Sequence, residues 1–588
     1  MKVVKAAAAA LVAVMLLTTP VWAAEKEASN VQVNSGPEVI VQDETAGQLL
    51  SKKVELSQAQ QKVLEKIYEC VPELKELALE SVHDEGDITW GVTFSDRNGA
   101  VEPGIHYAHA YLHFDKDTGQ LMSMNIHNPE WASEQLPATD LAKEKAAAFA
   151  QKLLGDKMNN YRMGSVGYGG GGTADEKGNM IYWANANVQF KRLINGVPFM
   201  NSGFQVSVDV AGHITMYYSQ GFHKNIDGVR DVEPELGVFP DPCLAVTKEE
   251  AEKAFAEQLE MKLSYVGQQP LKDSMFNREK VETRPVLMYS PSYPSCSVPI
   301  DAMTGKPLDG LRGRLPLTSP VKLAGEGKKL AAGTPEEVAS LLAAETGIDM
   351  SGMKSGSVEE REDRFDPGVK VKEYNWMSEP QTGPDGKPDF STMRYLHVTT
   401  LADTGQVVNF NLQDQSGRGE QAAISLEAAR KTALRFMQKH LKKGACELEM
   451  SIYSTYEENI PDWVDRSKLE GYEQRPEFHF YFTRTHQGIP VSDSSYSVTV
   501  DGLTGKITSF VDVNSASSVT LPDSKNIVTA EAAKAEYLKS KTLNLVYLWP
   551  EYYNQKAPKP YLIYIPENAA SLEYIDAFTG KMVIVERD

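Results

Sequence analysis

Stretches in which apolar and polar residues alternate recur along the chain, and each breaks at a turn and resumes after it. Between them lie longer stretches whose apolar residues return at helical spacing. Alternation with a period of two predicts half-buried strands, and the helical spacing predicts amphipathic helices. The turn has a signature. It appears as Asp115-Lys-Asp-Thr-Gly119, in shortened form as Asp209-Val-Ala-Gly212, and again as Asp301-Ala-Met-Thr-Gly305. Further copies are Leu401-Ala-Asp403-Thr-Gly405, Asp501-Gly-Leu-Thr-Gly505 and Asp576-Ala-Phe-Thr-Gly580. An Asp or Thr side chain accepts hydrogen bonds from a tight turn's backbone, and Gly takes the positive φ that a bulged hairpin demands. Each copy therefore predicts a β-hairpin.

Ahead of most hairpins stands a helix start. Thr247-Lys-Glu-Glu250 and Ser57-Gln-Ala-Gln60 read as capping boxes, Thr334-Pro-Glu-Glu337 adds Pro at the first helical position, and Ser425 and Thr529 are similar caps. Thr139 or Asp140 opens the remaining helix. The unit is thus one helix followed by an antiparallel meander, an α+β module repeated six times.

A second order lies above this. Tyr111-Leu-His113 returns as Tyr395-Leu-His397, Phe190-Lys-Arg192 with Gly196-Val-Pro198 as Phe482-Thr-Arg484 with Gly488-Ile-Pro490, and Pro285 to Tyr289 as Pro560 to Tyr564. The chain is expected to be two three-unit blocks, residues 51–320 and 321–588, parted in the Pro- and Gly-containing stretch from Pro307 to Gly333.

The N-terminus changes the setting. Lys2 and Lys5 precede the apolar run Ala6 to Leu17, and Val21-Trp22-Ala23 supplies small residues for cleavage, so 1–23 is expected to be a signal peptide and 24–50 an exposed leader. The apolar run is shorter than a membrane span. The expected location is extracytoplasmic, at the cell exterior or envelope. Export permits disulfides, but Cys70, Cys243, Cys296 and Cys446 lack the rhythm of a zinc or redox site. Buried free thiols are expected, Cys243 with Cys296 being the pair that would bridge if any does. With 60 Lys+Arg against 80 Asp+Glu the net charge is -20, which opposes binding to nucleic acid or anionic lipid.

The helix, meander and closing Asp-x-x-Thr-Gly-Lys hairpin resemble PepSY-type modules, and the paired three-unit blocks resemble the YcdB/YcdC repeated-domain family of secreted bacterial proteins. Asn195-Gly-Val-Pro198 and Gln487-Gly-Ile-Pro490, followed by Val206-Ser-Val-Asp209 and Val498-Thr-Val-Asp501, are also similar to the propeptides of thermolysin-like proteases. The resemblance implies tandem helix-on-meander modules and a partner among secreted proteases or other envelope proteins, which the module inhibits or helps to fold. It implies no catalytic residue, cofactor or metal.

The residues themselves offer few rivals. His106-x-x-His109-x-x-x-His113 has helical ligand spacing, but it leads into a hairpin and reads as a strand, with His397 as the counterpart of His113. His-Glu-x-x-His is missing from the sequence. Asp115 to Gly119 begins like a calcium loop, yet its Gly comes one position early and Ile126 stands where a bidentate Glu belongs. Gly164 to Gly172 lacks a phosphate-loop ending and reads as a flexible loop. The turn carboxylates recur at every unit, whereas a catalytic group is needed once. The expected function is a non-enzymatic binding module. A structural protein of the envelope is the first alternative. The second is an enzyme of unrecognised type, which requires one half to carry polar clusters that the other lacks.

Overall fold

The computed structural model describes residues 56–85, 89–96, 107–174, 180–220, 238–272, 281–293, 295–308, 316–363, 368–383, 386–414, 416–454, 460–469, 474–514, 519–553, 555–567 and 572–585. The expected signal peptide, the leader and His106 lie outside them. The first unit comprises α1 (Gln58–Cys70), β1 (Ala78–Glu85), β2 (Thr89–Ser95), β3 (His109–Asp115) and β4 (Leu121–His127). The second is α2 (Thr139–Leu154), β5 (Tyr161–Ala174), β6 (Met180–Ile194), β7 (Val197–Val208) and β8 (Ile214–Gln220). The third is α3 (Lys248–Gln258), β9 (Met261–Pro270), β10 (Thr283–Pro291), β11 (Ile300–Asp301) and β12 (Lys306–Pro307).

Then comes β13 (Leu317–Gly325). It leads into the fourth unit: α4 (Pro335–Thr346), β14 (Met353–Glu362), β15 (Lys370–Ser378), the small pair β16 (Gln381–Thr382) and β17 (Pro388–Asp389), β18 (Arg394–Leu401) and β19 (Val407–Asp414). The fifth has α5 (Leu426–His440), β20 (Gly444–Ser454), β21 (Glu477–His486), β22 (Ile489–Asp501) and β23 (Ile507–Asn514). The sixth has α6 (Ala530–Lys539), β24 (Leu543–Leu548), the small pair β25 (Glu551–Tyr552) and β26 (Gln555–Lys556), β27 (Tyr561–Pro566), β28 (Leu572–Asp576) and β29 (Met582–Val585).

The helix starts follow from local chemistry. Ser57, Thr247 and Thr334 each close a capping box with the Gln or Glu three residues on, and Ser425 and Thr529 accept a backbone N–H. The exception is α2. Its N-cap is Ala138, so neither Thr139 nor Asp140 caps it, and the Thr139 hydroxyl instead meets Tyr168 Oη at 2.6 Å. That contact ties the helix to β5.

Units one and two share one core. Leu64 and Ile67 of α1 and Ala142, Ala146 and Phe149 of α2 lie against Phe94, Leu112, Phe114, Phe190, Phe204 and Val206. Units four and five repeat this with Val338, Leu342, Ala433 and Phe436 against Tyr374, Leu396, Phe410, Phe478, Phe480 and Phe482. Replacing one such buried aromatic with Ala costs about 3–5 kcal/mol. In each half the two meanders join edge to edge, β4 to β8 and β19 to β23, both antiparallel.

The third and sixth units depart from the expected plan, because neither closes on its own strands. The hairpin of β9 and β10 enters the second sheet, between β22 and β28, while the hairpin of β24 and β27 enters the first, between β7 and β11. Each insertion begins with one parallel pairing, Tyr547 beside Phe199 and Tyr265 beside Val491. The bonds that hold the exchange are mirrored. Tyr265 donates to Pro522 O (2.9 Å) and Tyr547 to Pro240 O; Tyr289 donates to Val528 O (2.8 Å) and Tyr564 to Val246 O (2.9 Å). Asn201 exchanges two bonds with Trp549 (2.8 and 2.7 Å), and Asp493 accepts from the amides of Gly267 and Gln268 (2.9 Å each).

Helix α3 therefore packs its Ala251 and Phe255 on Leu543, Tyr547, Leu562 and Tyr564 of the sixth unit. In return, Ala533 of α6 packs with Tyr265, Leu287 and Tyr289 of the third. The result is a sheet of 12 strands and one of 13 in an α+β protein, each completed by the other's hairpin.

Candidate functional site

The recurring turn residues are engaged in building the hairpins. Asp115 Oδ1 accepts from the amides of Asp117 (3.2 Å) and Thr118 (2.8 Å) and from the Thr118 hydroxyl (2.8 Å). Asp501 does the same with Leu503 and Thr504, Asp576 with Phe578 and Thr579, and Asp301 with the amides of Met303 and Thr304. Asp209, in the shortened copy, accepts from Ala211 and His213 amides and holds the His213 ring at 2.7 Å. Gly119, Gly212, Gly305, Gly405, Gly505 and Gly580 all have positive φ, from 65° to 92°. In the Leu401 copy the Gly405 amide still bonds Leu401 O at 2.9 Å, but Asp403 sits at the third turn position, like Asp117, and not at the bracing one.

The turns also seat the helices. The residue before the helix cap donates to the turn backbone in the third, fifth and sixth units: Val246 to Ala302 O (2.7 Å), Ile424 to Gly502 O (3.0 Å) and Val528 to Ala577 O (2.8 Å). A Cβ on Gly580 would come within 3.0 Å of Val528, and one on Gly505 within 3.6 Å of Ile424. Asp and Gly at these turns thus fix both the hairpin and the helix that rests on it.

The histidines divide differently from their sequence likeness. His109 and His113 lie on β3, on the face away from the helices, with His113 Nδ1 2.9 Å from Ser123 Oγ and the His109 ring tilted beside that of His127, centroids 5.0 Å apart. His397 shares that face of the second half, 2.9 Å from Asn375 Oδ1, but lies two residues farther from its turn than His113 does, and so one row away. Among the described residues no group of three His, Cys, Asp or Glu is placed to hold a metal. The four cysteines are thiols and Cys243 and Cys296 form no bridge, but of the four only Cys70 is fully buried and Cys243 is exposed. Tyr374 and Trp376 belong to the core.

A cluster that sequence reasoning missed lies on the outer face of β21 and β22. Arg475 Nε donates to Asp501 Oδ2, and Arg475 Nη1 reaches Ser416 O at 2.6 Å and Asp414 Oδ2 at 3.6 Å. Burial works to raise the Asp501 carboxyl, yet its bonds from Arg475 and Thr504 hold it below its ordinary value. Beside it, burial and the Asp501 charge push Glu477 up to about 7 against the pull of Arg475. Burial lowers His479, whose Nδ1 is 3.0 Å from Thr499 Oγ1, to about 4. The signal was there, in the charged residues alternating as Arg475-x-Glu477-x-His479. Opposed shifts of this kind mark acid and base pairs in some enzymes. Here Asp501 is spent on its turn and on Arg475, and a shallow cavity of about 320 Å³ lies between Ala331–Gly333 and Leu401–Gly405. In the first half the corresponding rungs carry Asn187 opposite Ser207, bonded at 2.5 Å, where the second has His479 opposite Thr499.

The other asymmetry is at the sheet edges. The stretch from Gly164 to Gly172 is no loop: it forms most of β5, paired over its length with β6. Gly167, Gly169 and Gly171 stand opposite Asn187, Asn185 and Trp183. A Cβ at Gly169 would meet the Asn187 amide at 2.7 Å and one at Gly172 the Tyr182 ring at 2.6 Å, so the glycines let β6 side chains lie across the strand. Among the described residues β5 pairs with β6 alone. Its counterpart β20 is covered on the far side by β13, rung for rung from Leu317 opposite Ile452 to Gly325 opposite Gly444.

Two segments, residues 71–221 and 359–512, match the family model described as the YcdB, YcdC repeated domain, and together they make up more than half of the chain. The chain belongs to the YcdB/YcdC repeated-domain family. The first matched copy holds the strands of units one and two, β5 among them, and the second runs from within β14 to within β23, across the Arg475 cluster. The exchanged third and sixth units fall outside both. No curated protein matches. A solved structure, the Bacillus megaterium YpeB C-terminal domain, aligns at 14% identity with a TM-score of 0.23, covering 44% of this chain and 100% of that one. Among the described residues no helix is long and apolar enough to cross a membrane.

Proposed function

We propose that this family member is an exported, non-enzymatic binding module of PepSY type that takes up an extended segment of a secreted protease or another envelope protein as an added strand, inhibiting or chaperoning its partner. The supporting observation is the outer edge of β5. It is a strand of 14 residues with no charged side chain from Met163 to Ala174. The remaining edges are guarded in the ways that prevent pairing. β14 carries Lys354, Glu359, Glu360, Arg361 and Glu362, β1 carries Glu80, Asp84 and Glu85, β13 carries Pro320 and Lys322, and β12 and β29 are two and four residues long. An unguarded edge offers backbone N–H and C=O groups to an incoming strand.

The test is Gly167→Lys with Gly171→Lys, two positions where an added Cβ has nothing within 4 Å. The wild-type protein should form a complex with a secreted metalloprotease of its host and change its activity. The double variant should bind about 100-fold more weakly, since two charges guard the edge. Equal binding by both proteins, or no complex across a concentration series, refutes the reading.

A further inference from the structure

The two halves differ at this edge in a way that points to where a covering strand comes from. In the second half, β13 covers β20 and then runs directly to Thr334, the cap of α4, the half's first helix. The first half has the same order of elements after Ser57, the cap of α1, and the chain ahead of Ser57 lies outside the described residues except for Leu56. That stretch contains Gly36-Pro37-Glu38-Val39-Ile40-Val41-Gln42-Asp43, its longest β-branched run. β13 carries Pro320-Val321-Lys322-Leu323, whose Val321 and Leu323 pack against the core. In both, Pro precedes apolar residues two apart, the spacing that puts two side chains on one face of a strand.

We propose that the leader segment Pro37–Asp43 adds to the outer edge of β5 as an intramolecular strand, filling the place that β13 fills on β20. Residues 44–56 give a connection of up to about 45 Å, longer than residues 326–333 provide in the second half. The glycines of β5 suit this occupant, because Val39 and Val41 can lie over positions that have no side chain of their own. The leader then competes with any partner for the same edge. This regulatory consequence rests on the strand-addition reading, whereas the covering itself does not.

The experiment is amide hydrogen exchange of residues 164–173 in the mature full chain and in its Val39→Asp, Val41→Asp variant, with no partner present. In a two-stranded edge only alternate amides bond inward, and a third strand protects the rest. The expected result is that those alternate amides exchange at least tenfold faster in the variant, and that a synthetic Pro37–Asp43 peptide added in excess restores their protection. Equal exchange in the two proteins, or a peptide that protects nothing, overturns the proposal. The protease complex is then measured with both. A gain of about tenfold in the variant ties the leader to regulation. If neither protein binds the protease while exchange differs, the leader covers the edge and the binding reading fails by itself.

Discussion

On the outer face of β6 and β7 the first half carries Trp183, Asn185, Asn187 and Ser207, and across β21 and β22 the second half carries Arg475, Glu477, His479 and Thr499. The strands and cores behind these faces follow one plan. What differs is how each face treats charge and how each edge is finished. The first half has neutral amides beside a glycine-rich strand that, among the described residues, pairs on one side alone, and the second has an ionic cluster beside a strand that β13 covers. Residues that recur in both halves serve the architecture, so a binding role is to be sought where the halves diverge.

The comparison breaks most visibly at Arg475. Arg475→Ala leaves Asp501, 1% exposed, without its cation, and should cost about 3 kcal/mol in urea unfolding. His213→Ala, which removes the corresponding partner of Asp209, should cost nearer 1 kcal/mol, because the His213 ring is a hydrogen-bond partner and not a fixed charge. Equal losses would show that the second half gains nothing by being ionic.

A middle-sized effect follows from Glu477. Its folded pKa of about 7 stands above its ordinary value of 4.5, so the folded state binds the proton more tightly. The stability it contributes is full below about pH 4.5 and is lost as pH rises through 7. Melting temperature should therefore fall by several degrees from pH 6 to pH 9, and Glu477→Gln should flatten that slope. An unchanged slope in the variant would assign the loss to another group.

The smallest effects test the turns. Asp115→Ala should cost about 1–2 kcal/mol by unpairing two amides, while Leu401→Asp should gain up to about 1 kcal/mol by supplying the brace that its copy lacks. Differential scanning calorimetry of the two variants reads both signs.

Turns, caps and the doubling of the chain were legible in the sequence because each rests on local chemistry: a carboxylate and a glycine three or four residues apart, or a Thr and a Glu three apart. The exchange of hairpins was not. Each hairpin sets a Tyr opposite a Leu, Tyr265 with Leu287 and Tyr547 with Leu562, so sequence alone does not say which sheet each enters. The strand β5 was misread because glycine usually marks turns, and what makes it a strand is on its neighbour, in Asn185, Asn187 and Trp183. The α2 start misled because Thr139 spends its hydroxyl on Tyr168.

The crossing of the hairpins sets a timetable. A chain made from its N-terminus presents β7 and β11 long before Leu543–Pro566, the strands that lie between them, has emerged. The first sheet stays incomplete until nearly the whole polypeptide is made, so a hairpin from the end of the chain finishes the earliest part of the fold. Truncation near the C-terminus is thus felt at the front of the molecule. A single cut between the halves would likewise leave them clasped, each still gripping a piece of the other.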